Sequence, residues 1–77
     1  MKPVEVIWTD IEYRGGWNSQ KKMDKFITEA KNRTVHQVGF LYEDDEEQIV
    51  LVDSIAGDEF GTIHVIPRWC IKSIREL

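Results

Sequence analysis

One short stretch sets the hardest condition on the fold. In Gln48-Ile49-Val50-Leu51-Val52-Asp53, Ile49 and Leu51 fall on one side of an extended chain and Val50 and Val52 on the other, so both faces are apolar. An antiparallel strand with one wet face alternates apolar with polar residues, and this one does not. Something has to cover each side, and a helix of the same chain or another subunit are the two candidates. The 77 residues make one domain, 1–77, near the lower size at which a single apolar core holds a fold without metal, disulfide or partner. A homo-oligomer is therefore expected.

The neighbouring stretches supply the other elements. Val4, Val6 and Trp8 share one face of an opening strand, with Glu5 and Thr9 on the other and Ile7 as an apolar exception. Asp10 to Ser19 contains paired glycines, Gly15-Gly16, then Trp17 and the N-cap types Asn18 and Ser19. Met23, Phe26, Ile27 and Ala30 follow at helical spacing, with Lys21, Lys22, Lys25 and Glu29 turned outward. Lys25 and Glu29 are placed to pair across one turn, and Asn32 and Arg33 are expected to end the helix. From Thr34 the period becomes two, with His36, Val38, Phe40 and Tyr42 alternating against Gln37, Gly39 and Leu41. Glu43 to Glu47 reads as a solvated hairpin loop, and Ala56 to Gly61 as the next connection.

At the C-terminal end Ile63 and Val65 lie to one side of a strand, and Thr62, His64 and Ile66 to the other. Pro67 stops that strand and starts a helical turn, Pro67-Arg68-Trp69-Cys70, because proline lacks the ladder donor and has a fixed φ. Ile71 to Arg75 then resumes as a closing strand. The rival is a terminal helix through Cys70, Ile71, Ile74 and Leu77, since strict alternation does not explain two isoleucines three apart. The reading is an α+β fold in the order β-α-β-β-β-turn-β: a bent antiparallel sheet or barrel of about five strands, with one amphipathic helix packed against it.

Composition narrows the function classes. Hydrophobic residues at 42%, with three Trp, three Phe and two Tyr, argue for a packed globule. Cys70 is the only cysteine, which excludes an intrachain disulfide and a cysteine-rich zinc site. No apolar export segment follows Met1 and no run approaches the roughly 18 apolar residues of a membrane span, so a cytoplasmic protein without a membrane partner is expected. A formal charge of −4 disfavours indiscriminate binding to nucleic-acid backbone. No nucleophile-elbow, phosphate-loop, zincin or dinucleotide motif occurs, and the reading is a non-enzyme without cofactor or metal.

The candidate ligand-binding residues are Tyr13, Arg14, Gly15, Gly16, Trp17, Ser19, Lys21 and Lys22. Glycines let a ligand approach the main chain, a helix start offers unpaired N–H groups, and Arg14, Lys21 and Lys22 add positive charge. Tyr13 or Trp17 is suited to stack on an aromatic ring while Arg14 clamps an anion. The plainer reading is a turn, with Trp17 folded over Met23. His36 and His64 lack partners at metal spacing, and Cys70 between Trp69 and Ile71 reads as an inert buried thiol. Trp8 and Trp69 are expected in the core or an interface, each indole N–H needing an acceptor if buried.

Two resemblances rest on these residues. The strand, Ile66-Pro67-Arg68-Trp69-Cys70 turn and short final strand resemble the end of SH3-like or Sm-like small β-barrels. The likeness concerns layout, since the acidic and aromatic residues that hold proline-rich peptides in SH3 domains have no counterpart. Trp8 and Asp10, Gly16 and Trp17, and Gly61 through Leu77 are similar to small proteins of phages and prophages of Gram-positive bacteria. That resemblance implies action by binding within a bacterial host. Its forms are counter-defence by sequestering a small anionic nucleotide-like signal in an oligomeric pocket, inhibition of a host protein, or regulation through nucleic acid.

Overall fold

In the computed structural model, which describes residues 1–31 and 33–77, the chain forms one five-stranded antiparallel sheet, one helix and a small separate hairpin. The strands are β1 (Lys2–Thr9), β2 (Thr34–Asp44), β3 (Gln48–Val52), β4 (Ile55–Ala56), β5 (Glu59–Phe60), β6 (Ile63–Pro67) and β7 (Ile71–Glu76), and the helix α1 is Gln20–Ala30. The spatial order in the sheet is β6-β3-β2-β1-β7, while β4 and β5 pair only with each other. The expected order of elements is therefore present, with the β4–β5 hairpin added in the connection read at Ala56 to Gly61. Gly57, at φ +65°, makes the turn of that hairpin.

Strand β3 lies inside the sheet between β2 and β6. Ile49 and Leu51 are completely buried in a core with Val4, Val6, Ile66 and Cys70, and Trp8, Leu41, Ile71 and Ile74 pack around its margin. The two edge strands, β6 and β7, are joined by a 3₁₀ turn of three residues, Arg68–Cys70. Edge strands of a flat five-stranded sheet stand roughly 19 Å apart, whereas a three-residue 3₁₀ turn rises only about 6 Å. The sheet therefore curls around the core. No ladder joins β6 to β7, so the barrel expected as one alternative does not close, and the bent sheet is the form observed.

The core side of each strand follows from register. Val4 pairs with Gly39 and Val6 with Gln37, and Leu41 pairs with Leu51. The inner side of β2 is thus Val35, Gln37, Gly39 and Leu41. The more apolar stripe, His36, Val38, Phe40 and Tyr42, faces outward. Gly39 is the reason: a Cβ there would stand 3.3 Å from the Leu51 Cβ and 3.1 Å from the Val52 carbonyl oxygen, so the missing side chain makes room for Leu51. The same inversion holds on β6, where Ile66 is buried while Ile63 and Val65 remain 63% and 55% exposed.

Three further expectations meet the structure here. The C-terminal segment is a strand, and Ile71 and Ile74 both reach the core margin because a bulge intervenes: Trp8 pairs with Ile71 but Ile7 with Ser73, leaving Lys72 as the extra residue. Trp8 is half-buried and its indole N–H donates to Gln37 Oε1 at 3.1 Å, but Trp69 is 72% exposed and does not enter the core. The helix is not packed against the sheet: none of its residues is buried and none belongs to the core. It ends at Ala30 with Lys31 as C-cap, and the expected stop at Asn32 lies outside the described residues.

The second face of β3 is covered by other means. Val50 and Val52 are shielded by Tyr42 and by Phe60 of the hairpin, whose rings meet edge to face with centroids 5.3 Å apart. The hairpin is held by Asp53, whose carboxylate accepts from the Ser54 hydroxyl at 2.9 Å and from the Thr62 N–H at 3.0 Å. A Cβ on Gly61 would overlap both the Asp53 and Ser54 side chains.

Replacing Leu51 by alanine should cost about 2–5 kcal/mol in denaturant unfolding, the range for deleting a large buried aliphatic side chain. The bond from Ser54, aided by the Thr62 N–H and the nearby His64, holds the Asp53 carboxyl below its ordinary value of 3.8, against a smaller opposing effect of desolvation. Its contribution is thus complete above the unfolded value and lost as pH falls through the lower, folded one. An NMR titration following the Thr62 amide should show its midpoint below 3.8, and Asp53→Asn should abolish that titration.

Candidate functional site

Residues 10–33 leave the sheet at Thr9 and return at Thr34, two residues paired across β1 and β2. The molecule is elongated, 52 × 22 × 20 Å. This arm is tied back at its base by an ion pair between Arg33 Nη1 and Glu12 Oε1 at 2.7 Å. Phe26 and Ala30 line a small cleft beside that pair. Beyond it the apolar stripe of α1 has no partner within the chain, and Met23 and Ile27 remain 50% and 47% exposed.

The loop before the helix is organised by short local bonds. Gly16 adopts φ +79°, a conformation that side chains disfavour. Asn18 Nδ2 donates to the Gly16 carbonyl oxygen at 3.3 Å. Ser19 is the N-cap, its hydroxyl oxygen accepting from the Lys22 N–H at 3.2 Å. The helix carries no acidic residue in its first turn. It has Lys21 and Lys22 there instead, cations at the positive end of the helix dipole. Expected pairing between Lys25 and Glu29 is not among the ion pairs of the described residues.

Of the residues expected to bind a ligand, Arg14 lines an open depression of about 200 Å³ shared with Asn18, Met23 and Phe26. Tyr13 and Trp17 are almost fully exposed, and Trp17 does not fold over Met23. Gly15, Gly16, Ser19, Lys21 and Lys22 are exposed around the same loop and helix start. Asn18, Met23 and Phe26 were legible only as a cap residue and as core-facing positions. Nothing in their spacing signalled that the stripe would stay open and form the floor of a hollow.

The other chemically able groups do not converge. His36 lies opposite Ile7 on the outer side of the sheet, and His64 opposite Leu51 on the inner side. The Cys70 thiol is buried and donates to the Pro67 carbonyl oxygen at 3.1 Å. The acidic run is a hairpin tip: Asp45 Oδ1 accepts from the N–H groups of Glu47 and Gln48 at 2.8 and 2.9 Å. Arg68 straps it down through the Asp44 carboxylate and the Asp45 carbonyl oxygen. Among the described residues no group of three His, Cys, Asp or Glu is placed to hold a metal ion, and no helix is long and apolar enough to cross a membrane.

The arrangement in the arm is suited to recognition: one guanidinium beside an apolar floor, an amide, two free aromatic rings and two lysines. Comparison of the chain with models of known families, with curated proteins and with solved structures found no match. Ser19→Ala should destabilise the start of α1 by about 1 kcal/mol, the usual worth of such a cap. Hydrogen exchange should report this as faster exchange at Lys22 with no change in the amides of β3.

Proposed function

We propose that the protein is a non-enzymatic binding protein whose arm captures a small anionic molecule bearing an aromatic ring, of the nucleotide class. In the setting suggested by its likeness to small phage proteins, this sequesters a host signal in the bacterial cytoplasm. The observation that carries the reading is the position of Arg14 in the hollow with Asn18, Met23 and Phe26, beside the exposed rings of Tyr13 and Trp17. Guanidinium supplies bidentate recognition of phosphate, and an indole or phenol ring supplies a stacking surface. Lys21 and Lys22 point the same way. Cations in a first helical turn oppose the dipole, and a bound anion removes that conflict.

A second reading, inhibition of a host protein, is favoured by the exposure of Trp17 and Tyr13. Tryptophan, tyrosine and arginine are the side chains that most often dominate protein interfaces. Regulation through nucleic acid ranks last, because the formal charge of −4 opposes phosphate-backbone contacts.

Thermal denaturation with adenosine and guanosine monophosphates, and inorganic phosphate as control, separates these readings. Stabilisation by a nucleotide but not by phosphate is expected, with affinity falling about tenfold or more in Arg14→Ala, the loss typical of a charged hydrogen bond. Equal stabilisation of the variant removes Arg14 from the site. If no nucleotide stabilises and a Trp17-dependent protein is captured from host lysate, the second reading replaces the first.

A further inference from the structure

Two apolar surfaces of this chain have no partner within it. One is the stripe of α1 around Met23 and Ile27, and the other is the outer side of the sheet, where the exposed Tyr42, Phe60 and Ile63 line an open groove of about 170 Å³ above the buried Val50 and Val52. Ile63 and Val65 continue that groove as exposed aliphatic side chains on β6. We propose that these surfaces cover one another between copies: the helix stripe of one chain lies in the outer-sheet groove of a second, and the contact is returned.

The chain does not fill its own groove, which no residue of α1 lines. The nearest groove residues, Val52 and Ile63, are level with Phe40, about 20 Å along β2 from Thr34 at a strand's rise per residue. The arm joins β2 at Thr34, and the groove lies toward the other end of that strand.

Charge points to a second copy as the occupant. Between Asp10 and Arg33 the chain has six Arg and Lys against four Asp and Glu, whereas the remainder has four against ten. The arm is therefore positive by two and the sheet body negative by six. Glu43, paired with Val50, adds an acidic group at the groove's own rim. An arm carrying Lys21, Lys22, Lys25 and Lys31 around its stripe complements that rim, while arm against arm or sheet against sheet sets like charges together. Two chains exchanging arms form a closed pair with two identical contacts, so a short helix buries its stripe twice over in the assembly.

The experiment uses the full chain without ligand, so its outcome is independent of the nucleotide reading. Sedimentation velocity should find wild-type protein as a dimer whose dissociation increases with salt. Ile27→Asp, in the arm, and Ile63→Asp, in the groove, should each raise the dissociation constant at least about tenfold while the β-sheet signal in circular dichroism is kept. Val65→Asp serves as a second groove variant should Ile63→Asp lose that signal. An equimolar mixture of the arm and groove variants should recover a heterodimer, because one intact arm then meets one intact groove. A monomeric wild type overturns the proposal. Dissociation by Ile27→Asp with none by either groove variant also overturns it, in favour of contact between arms.

Discussion

The burial of β3 on both sides is the constraint on which the rest of the structure depends. Ile49 and Leu51 anchor the core inside the curled sheet, and Val50 and Val52 require a roof on the outside. A sheet of this size has no layer to spare, and α1 stays in the arm with none of its residues buried. Instead the connection from β3 to β6 folds into a hairpin whose Phe60 meets Tyr42. Asp53, Ser54 and Gly61 fix the base of that hairpin, so one carboxylate and one missing Cβ help shield two valines.

Elements whose signal is local were legible in the sequence. Ser19 caps a helix because its hydroxyl meets an amide three residues on, and Pro67 ends a strand because it lacks a donor. Choosing the inner face of β2 and β6 required knowledge of neighbours. On β2 the outer stripe is the more apolar one, and only the pairing of Gly39 with Val4 and its closeness to Leu51 shows why the core lies on the other side. The bulge at Lys72 is of the same kind. It turns a spacing of three into a shared face, and a period-based reading has no term for it.

The arm shows the same division. Its exposed loop, the helix cap and the cations around them follow from the residue types at Arg14 to Lys22. That Met23 and Ile27 stay open does not, because an amphipathic stripe says that a helix has an apolar partner without saying where the partner is. The hollow beside Arg14 is a product of that openness. Side chains suited to burial and side chains suited to binding thus occupy one short segment, held away from the body by the paired ends of β1 and β2.

The pairing of β1 with β7 sets the order in which the molecule assembles. Glu5 and Arg75, bonded at 2.7 Å, are separated by 70 positions along the chain. β2 and β3 meet across a tight turn and form early, whereas the ladder holding β1 from its other side waits on the slow search that distant contacts entail. Until then Val6 and Trp8 lack Ile74 and Ile71 beside them. During synthesis, a ribosome still shielding β7 would therefore hold a half-built sheet whose inner wall is wet, a natural moment for chaperone engagement or misassociation.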